Sequence, residues 1–393
     1  LVGTYLALLG VALMSRAPWI DHVVGSDRLA RWHRWIGIGS VLLLSLHVVL
    51  TTTAWAMASG VNPVAEFVAL NGTWDVLLAT VGMGLLLLVA VSSMRFVRRR
   101  LEYETWYGLH LYAYLGIALA FLHEVTMGSD LIADPIALAT WVGLYLVAFG
   151  LLLGYRVVAP VLLTLRHRPR VAAVVRESAD TVSIHLHGQR FERIDARAGQ
   201  FFRLRFLRDG GWWRPHPFSL SAEPDGRTLR FTVKDLGDDS HRLQSIPRGT
   251  AVVLEGPYGA FTADRLTRRR AVLIAGGVGI TPIRAIFESL TARGTRGTLV
   301  YRASDASDVL FGRELEAIAA AGGHDLHIIV GHRRDAAGSM DPLSAAGIAG
   351  LVPDIADADV FICGGPSFMD QARRSVRALG VPANRIHDER FGD

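Results

Sequence analysis

Five long apolar segments in the first 165 residues constrain this chain more than any other feature. They cover residues 1–18, 32–58, 74–97, 105–127 and 135–165. An α-helix needs roughly 20 apolar residues to cross a bilayer, and each segment is about that long. The alternative is a helical bundle buried in a soluble protein, but five such helices would leave no polar faces. The pattern therefore predicts an integral membrane protein, in contact with lipid over residues 1–165.

Arginine placement predicts the orientation of these segments. Arginines cluster after the first, third and fifth segments, whereas the connections 59–73 and 128–134 contain no Lys or Arg. Because positively charged loops stay on the cytoplasmic side, we expect the second and fourth segments to run outward and everything after residue 165 to be cytoplasmic. The single cysteine, Cys363, excludes an internal disulfide, which suits a cytosolic catalytic part. The expected location is a bacterial plasma membrane.

Four histidines lie on the two outward-running segments. His33 and His47 are 14 residues apart on the second segment, and His110 and His123 are 13 apart on the fourth. A polar side chain in lipid is costly and therefore a functional candidate, and neutral imidazole is a good axial ligand for haem iron. Each spacing separates two levels by roughly 20 Å. The pattern predicts two bis-histidine haem sites, His33 with His110 and His47 with His123.

The 13-residue spacing does not fit an ideal helix. It leaves the two side chains about 140° apart around the axis, whereas 14 residues leave them within about 40°. Either the fourth segment bends, which Gly108 or Gly116 would permit, or the two haems sit at different angles.

The rest of the chain has the pattern of two further domains. Residues 168–268 contain short alternating strands separated by Gly, Pro and Asp, which predict a small antiparallel β-barrel. Residues 269–393 alternate apolar strands with helices, which predicts an α/β doubly wound parallel sheet. The predicted fold class is a multi-domain membrane protein, with an all-α transmembrane haem bundle followed by these two domains.

A glycine-rich turn lies between a strand and a helix of the last domain. Glycines let the backbone approach a pyrophosphate, and the following helix N-terminus favours negative charge, although many such turns are only tight connections. The turn contains Gly276, Gly277, Gly279, Thr281 and Pro282.

Two further motifs accompany the turn. In His216-Pro217-Phe218-Ser219, the aromatic ring can pack against a flavin while the hydroxyl reaches it by a hydrogen bond, or both can be ordinary core residues. Cys363 and Gly364 follow a late strand, at the sheet edge where ligands usually bind. A buried apolar cysteine is the alternative for Cys363.

Together these residues resemble one family over nearly the whole chain. The membrane half is similar to the ferric reductase transmembrane domain of ferric chelate reductases and NADPH oxidases, whose histidine pairs are also 14 and 13 residues apart. The cytoplasmic half is similar to the ferredoxin–NADP reductase module, whose flavin motif has a basic residue, any residue, an aromatic, then Ser or Thr. The resemblance implies two haems b, an FAD-binding domain over 168–268 and an NAD(P)-binding domain over 269–393.

The resemblance also implies roles for individual residues. Phe218 and Ser219 would lie against the isoalloxazine and His216 near the FAD phosphates, and the glycine turn would bind the nucleotide pyrophosphate. Cys363 would lie near the nicotinamide, and Phe391 would shield the flavin until nicotinamide displaces it. A second FAD segment would contain Lys234, Gly237 and Ser240.

Two departures from the family pattern matter. The family's bundle usually has six spans, so five spans imply that its first helix is absent from this chain. Animal NADPH oxidases have a further histidine one turn beyond the outer haem ligand, near where oxygen reacts, and this chain has Thr51 there. This difference weakens the prediction of oxygen reduction.

The expected activity is electron transfer from cytosolic NAD(P)H through FAD and two haems to an acceptor across the membrane. Oxygen, giving superoxide, and a ferric chelate are the expected acceptors; the alternative is a conduit that reduces an extracytoplasmic protein. No nucleic-acid partner is expected. Arg302 follows the second strand of the nucleotide domain, where a cation can pair with a 2′-phosphate. This placement favours NADPH over NADH, unless the arginine is simply solvated.

Overall fold

The computed structural model describes residues 1–208, 214–331 and 341–390. It divides into two compact units, Leu1–Val158 and Ala159–Asp393. The first unit is helical and ends in a π-helical segment, Gly154–Val158. Its helices are α1 (Val2–Leu13), α2 (Pro18–Val24), α3 (Ser26–Ser59), α4 (Pro63–Leu70), α5 (Trp74–Ser93), α6 (Arg95–Arg98), α7 (Tyr103–Met127), α8 (Ser129–Ala133) and α9 (Pro135–Leu153).

Four helices of the described chain are long and apolar enough to cross a membrane. They are Arg28–Ser59, Trp74–Ser93, Glu104–Met127 and Pro135–His167. The first predicted segment, residues 1–18, is not one continuous helix, because α1 ends at Leu13, Arg16 has a positive φ of 67°, and Pro18 begins α2.

Helices α5 and α7 pack with their backbones in contact. A Cβ built on Gly82 would lie 2.5 Å from the carbonyl oxygen of Gly116, and one built on Gly116 would lie 2.8 Å from that of Gly82. Small residues allow this close approach between membrane helices. Because α7 runs as one uninterrupted helix, Gly116 serves this contact and does not interrupt the helix.

A carboxylate on α7 connects three helices of the first unit. Glu124 accepts hydrogen bonds from the Thr4 hydroxyl of α1 at 2.5 Å and from Trp141 Nε1 and Tyr145 OH of α9, both at 2.9 Å. Polar groups at membrane depth need partners inside the protein, and these three donors supply them.

The second unit begins with α10 (Ala159–His167) and an antiparallel region that also contains α11 (Asp238–Leu243). Two three-stranded sheets have the orders β1-β2-β5 and β4-β3-β6. Isolated bridges, Arg170 to Ala251 and Leu220 to Phe231, connect them. The antiparallel strands are as predicted, but a closed barrel is not confirmed. The strands are β1 (Arg170–Ser178), β2 (Thr181–His187), β3 (Phe201–Phe206), β4 (His216–Ser219), β5 (Thr228–Lys234) and β6 (Val252–Tyr258).

A five-stranded parallel sheet completes the second unit, in the order β11-β10-β7-β8-β9. Neighbouring residues of β7 point to opposite faces: Leu273 packs with α12 and α13, and Val272 with α14 and α15. Helices on both faces confirm the predicted doubly wound sheet. Its elements are β7 (Arg270–Gly276), α12 (Ile280–Ala292), β8 (Arg296–Ala303), α13 (Gly312–Gly322), β9 (Asp325–Val330), α14 (Ala345–Leu351), β10 (Asp359–Gly364), α15 (Pro366–Ala378) and β11 (Ile386–Arg390).

Candidate functional site

Two pairs of histidine rings face each other between α3 and α7. The ring centroids of His33 and His110 are 5.8 Å apart, and those of His47 and His123 are 6.5 Å apart. Metal–imidazole nitrogen distances are roughly 2 Å, so an ion shared by two imidazoles places their centroids about 6 Å apart. The interplanar angles differ, at 68° and 53°. Both pairs predicted from the spacing are therefore formed, each at a separation that suits one shared metal.

The δ nitrogens of two of these rings contact hydroxyl groups. Nδ1 of His47 lies 3.3 Å from Thr51 Oγ1, and Nδ1 of His110 lies 3.4 Å from Ser93 Oγ on α5. Ser93 Oγ also accepts a hydrogen bond from Trp106 Nε1 at 3.3 Å. A metal-bound histidine normally uses its other ring nitrogen in such a contact, so these partners leave the ε nitrogens for a metal.

The donor set suits haem better than a bare metal ion. Within the described ranges, no group of three or more His, Cys, Asp or Glu side chains is placed to hold a metal. Two axial nitrogens are enough for haem, because the porphyrin supplies the remaining ligands. Moreover, α3 packs chiefly on α1, and α7 packs chiefly on α5. The paired histidine rings therefore meet where α3 and α7 do not pack mainly on each other.

The predicted flavin motif forms β4, at the edge of its sheet. Ser219 pairs with Phe201 and Phe218 with Phe202 on β3. Ser219 is buried, Phe218 is half-buried and Pro217 is exposed. The His216 ring stacks on that of Phe218, with centroids 6.2 Å apart and planes at 26°. The strand thus presents an accessible aromatic pair beside a buried hydroxyl, an arrangement that fits a flavin ring.

The predicted second FAD segment follows β5. Lys234 Nζ lies 3.2 Å from Asp180 Oδ2. Gly237 has a φ of 155° at the start of α11. The Ser240 hydroxyl accepts from Leu236 N at 2.7 Å and donates to the Gly237 carbonyl at 2.9 Å. Ser240 therefore holds the local turn and Lys234 pairs with a carboxylate between β1 and β2, and their role toward FAD stays a prediction.

Arg214 connects the two predicted FAD segments, and sequence reasoning missed it. Its Nη1 lies 3.0 Å from Asp239 Oδ2 on α11, which brings the residues before β4 next to the Gly237–Ser240 turn. The available signal was its position two residues before His216, within the same short motif.

The glycine turn meets the end of β10 at the carboxyl edge of the parallel sheet. A Cβ built on Gly279 would lie 2.4 Å from the Cys363 carbonyl oxygen and 2.7 Å from Gly364 N. A Cβ built on Gly276 would lie 2.8 Å from the ring of Phe368, and one built on Gly364 would lie 2.7 Å from it. Sequence reasoning did not single out Phe368. The structure therefore gathers the predicted pyrophosphate turn and the Cys363–Gly364 segment in one cradle.

Local bonds and burial fix the remaining members of the turn. Gly277 has a φ of 55°, and the Thr281 hydroxyl donates to the Val278 carbonyl at 3.0 Å. Pro282 lies buried in the first turn of α12. The turn therefore joins the carboxyl end of β7 to the start of α12, where a pyrophosphate can bind.

Cys363 is fully buried. Burial, with a contribution from Glu389, raises the pKa of its thiol well above the ordinary value. The thiol is therefore neutral at physiological pH and is not a nucleophile. Its proximity to a nicotinamide stays a prediction, and Phe391 lies outside the described residues.

Arg302 is not a solvated arginine. Its Nη1 lies 3.2 Å from Asp341 Oδ1, and its Nε donates to the Gly331 carbonyl at 3.3 Å. Asp341 also accepts from Gln371 Nε2 at 2.6 Å. Arg302 pairs with Gly276 in the register of β7 and β8, so it does lie at the edge where a nucleotide ribose is read. Its carboxylate partner opposes the approach of a 2′-phosphate.

Three protein families match successive parts of the chain. Residues 1–121 match the ferric reductase like transmembrane component, residues 168–262 an FAD-binding domain, and residues 273–374 the oxidoreductase NAD-binding domain. The fold and these matches define a ferric reductase-like transmembrane component joined to a reductase module of the ferredoxin–NADP reductase type. By these matches, the chain is an integral membrane protein that carries an FAD- and NAD-binding reductase module.

Curated relatives match a little over half of the chain. A flavohemoprotein of Chromobacterium violaceum is 32% identical over 57% of this chain and 60% of its own length. An NADPH oxidoreductase of Mycobacterium tuberculosis is 28% identical over 57% and 60%. The ferredoxin reductase component of 3-ketosteroid-9-alpha-monooxygenase from Rhodococcus rhodochrous is 30% identical over 56% and 64%. The chain thus spans about three fifths of the length of these relatives.

Among solved structures, the chain is similar to the flavohaem-like FAD/NAD-binding domain of nitric oxide dioxygenase from Vibrio cholerae. The identity is 27%, the likeness covers 57% of this chain and 99% of that one, and the TM-score is 0.47.

Proposed function

We propose that this protein transfers electrons from cytosolic NAD(P)H, through FAD and two haems b, to an acceptor across a bacterial plasma membrane. The observation that carries the proposal is the presence of two histidine pairs between α3 and α7, whose ring centroids are 5.8 and 6.5 Å apart. Each of these pairs is called a histidine couple below. The domains we assign are residues 1–165 for haem, 168–268 for FAD and 269–393 for NAD(P). When bound, FAD would take up a hydride and release single electrons, which haem iron can carry.

The chain's own side chains would hold and orient these groups. His33 with His110 would hold the haem nearer the cytoplasm, and His47 with His123 the outer one. Thr51 and the Ser93 hydroxyl contact δ nitrogens of these couples and would fix the orientation of the rings.

In the second unit, Phe218 would lie against the flavin ring and Ser219 would hydrogen-bond it. His216 and Arg214 would face the FAD phosphates, near the turn that contains Gly237 and Ser240. The glycine turn, in which Gly279 packs directly on the end of β10, would bind the nucleotide pyrophosphate at the start of α12.

The residue beyond the outer couple supports a ferric chelate over oxygen as acceptor. Thr51 contacts the His47 ring on its own helix and adds no imidazole near the outer site. An extracytoplasmic protein is the alternative acceptor. A ferric chelate, oxygen and a protein acceptor predict different results when the reduced haems are reoxidised.

The test is haem content, followed by reduction and reoxidation of the detergent-purified protein. We expect two low-spin haems per chain, both reduced by NADPH without oxygen. Alanine at His33 or His110 should remove one spectral component, and alanine at His47 or His123 the other. His187→Ala, an exposed histidine of β2, is the control and should keep both haems.

Reoxidation then identifies the acceptor. Fast reoxidation by a ferric chelate and slow reoxidation by oxygen supports the proposed choice, and the reverse supports oxygen. Slow reoxidation by both favours a protein acceptor. A haem content unchanged in all four histidine variants would contradict the assignment of the ligands.

A further inference from the structure

Two arginines converge on one backbone carbonyl in the second unit. Arg230 on β5 donates from Nη2 to the Ser221 carbonyl at 2.6 Å, and Arg284 on α12 donates from Nη1 to the same oxygen at 3.0 Å. Both arginines are buried, with 8% and 5% of their surface exposed. Buried cations destabilise a fold unless they are paired, so their counter-charge must lie nearby.

That counter-charge is Glu314 on α13. Arg230 Nη1 lies 3.0 Å from both of its carboxylate oxygens, and Arg284 Nε lies 2.7 Å from Oε2. Burial acts to raise the pKa of Glu314, but the two guanidinium groups outweigh it and hold the pKa below its ordinary value. The Phe311 ring lies 4.8 and 5.8 Å from the two guanidinium carbons. The four side chains form one compact group, called here the Ser221 clamp.

The Ser221 clamp joins the two parts of the unit close to both predicted cofactor motifs. Ser221 lies two residues after Ser219 of the flavin motif, and Arg284 lies two residues after Pro282 of the glycine turn. A second contact runs alongside: Glu288 Oε2 accepts from Arg284 Nη1 at 2.8 Å and from Glu223 N at 2.7 Å. Two hydrogen bonds, from Arg284 to the Ser221 carbonyl and from Glu223 N to Glu288, thus connect the strand region of one motif with the helix of the other.

We infer that Arg284, Arg230 and Glu314 are positioning residues for hydride transfer, which hold the flavin strand in register with the nucleotide helix. The inference rests on the proposed binding of FAD and NAD(P)H at those motifs. In the step concerned, NAD(P)H loses a hydride and is oxidised by two electrons, and FAD takes up that hydride and is reduced by two. Reacting atoms must approach to roughly 3–3.5 Å, and a displacement of about 1 Å costs about a hundredfold in rate.

A merely structural ion-pair group predicts a different outcome. Loss of a buried partner would then lower thermal stability and flavin content, and the rate would fall in proportion to the flavin lost. A positioning role predicts that folded, flavin-loaded protein binds the nucleotide but transfers hydride slowly. Two quantities distinguish these roles: the limiting rate of flavin reduction per bound flavin, and the nucleotide concentration that gives half of that rate. A positioning role lowers the first and leaves the second nearly unchanged.

The experiment is anaerobic stopped-flow reduction of the full-length protein by NADPH. Glu314→Gln and Arg284→Lys keep side-chain size and should slow the limiting rate about tenfold; Arg284→Met should slow it about a hundredfold. The NADPH concentration that gives half of the limiting rate should change less than threefold, which corresponds to about 0.6 kcal/mol in binding. Dithionite should reduce the flavin normally. Because the residues act as one group, Arg284→Met combined with Glu314→Gln should cost less than the product of the single effects.

Matched controls lie on the same helix as Glu314. Arg313→Met and Glu316→Gln make the same chemical changes at exposed positions of α13 and should leave the rate unchanged. Wild-type limiting rates in flavin-loaded Glu314→Gln and Arg284→Lys would overturn the inference, as would a loss of rate that only follows loss of flavin. If Arg284→Met does not fold, the two milder variants decide. Wild-type protein whose bound flavin NADPH cannot reduce would instead contradict the proposed function.

Discussion

The hydroxyl oxygen of Thr51 lies 3.3 Å from Nδ1 of His47, one helical turn further along α3. If the ring binds iron through Nε2, its Nδ1–H donates to Thr51 and makes the ligand more basic, which favours oxidised iron. Thr51→Val should therefore raise the midpoint potential of one haem by about 20–40 mV, from a bond difference of about 0.5–1 kcal/mol. Spectroelectrochemical titration measures this shift. Thr53→Val, whose hydroxyl bonds the Val49 carbonyl, should change neither potential, and a constant outer potential in Thr51→Val would contradict the role.

Ser219→Ala and Phe218→Ala should weaken flavin function and leave haem absorption intact. The buried hydroxyl and the half-buried ring lie in the second compact unit, whereas the histidine couples lie in the first. Loss of one hydrogen bond or of the ring contact should slow NADPH-to-flavin transfer about tenfold, or about 1.4 kcal/mol. Transient kinetics and flavin content give the measurement. Ser178→Ala, at the end of β1, is the control; normal transfer in both test variants would argue against the flavin motif.

Gly279→Ala should abolish most nucleotide-dependent flavin reduction. Its Cβ would lie 2.4 Å from the Cys363 carbonyl oxygen, and this overpacking should cost about 1–3 kcal/mol as the turn or β10 moves. Gly365→Ala is a matched control, because nothing lies within 4 Å of that Cβ and the φ of Gly365 is −64°. Thermal unfolding and NADPH titration should show lower stability and weaker nucleotide use in Gly279→Ala than in Gly365→Ala. Equal stability and nucleotide use in both variants would mean that the contact between Gly279 and Cys363 can relax at little cost.

Asp341→Asn should shift nucleotide preference toward NADPH. The carboxylate holds Arg302 through its Nη1 at 3.2 Å, so neutralising it removes a charge that repels a 2′-phosphate and frees the guanidinium to bind it. A charge-assisted bond of about 1.5 kcal/mol corresponds to about tenfold in the ratio of kcat/KM for NADPH over NADH. Asp357→Asn, an exposed carboxylate near β10, should leave the ratio unchanged. An unaltered ratio in Asp341→Asn would show that the Arg302 pair serves the fold.

Cys363 should resist alkylation in the native protein. Burial raises the pKa of its thiol, so the group stays protonated around pH 8–9, where an exposed cysteine ionises. Its contribution to stability is complete below the unfolded pKa of about 8.5 and is lost as the pH rises from there through the folded pKa. Iodoacetamide labelling, read by mass spectrometry, should be slow from pH 7 to 9 and fast in urea. Rapid native labelling that rises across this range would contradict a buried, neutral thiol.

The features that the sequence predicted depend on residues close together along one helix or one strand–turn–helix segment. Matched depth on two segments that run in the same direction was enough to pair His33 with His110, and a strand followed by a glycine turn and a helix located Gly276 and Gly279. The glycine spacing does not reveal the Cys363 contact itself, because β10 follows the turn by about 80 residues and reaches it only through the sheet order.

The features that sequence reasoning missed depend on distant partners. Glu314 is 84 positions from Arg230 and 30 from Arg284, and Asp341 is 39 from Arg302. No local pattern distinguishes such residues from solvated charges, which are far more common on exposed helix faces. The end of the first apolar segment differs for another reason: hydropathy continues to residue 18, but α1 ends at Leu13, Arg16 has a positive φ, and Pro18 begins α2.

The contact between Gly82 and Gly116 lies almost midway between the two histidines of α7. His110 is six residues before Gly116 and His123 is seven after it, which is about 9 Å in one direction and about 10 Å in the other. A methyl group at either glycine would push α5 and α7 apart at this point. Because the contact lies between His110 and His123, one small wedge there would displace both histidines of α7 from their partners on α3 at once.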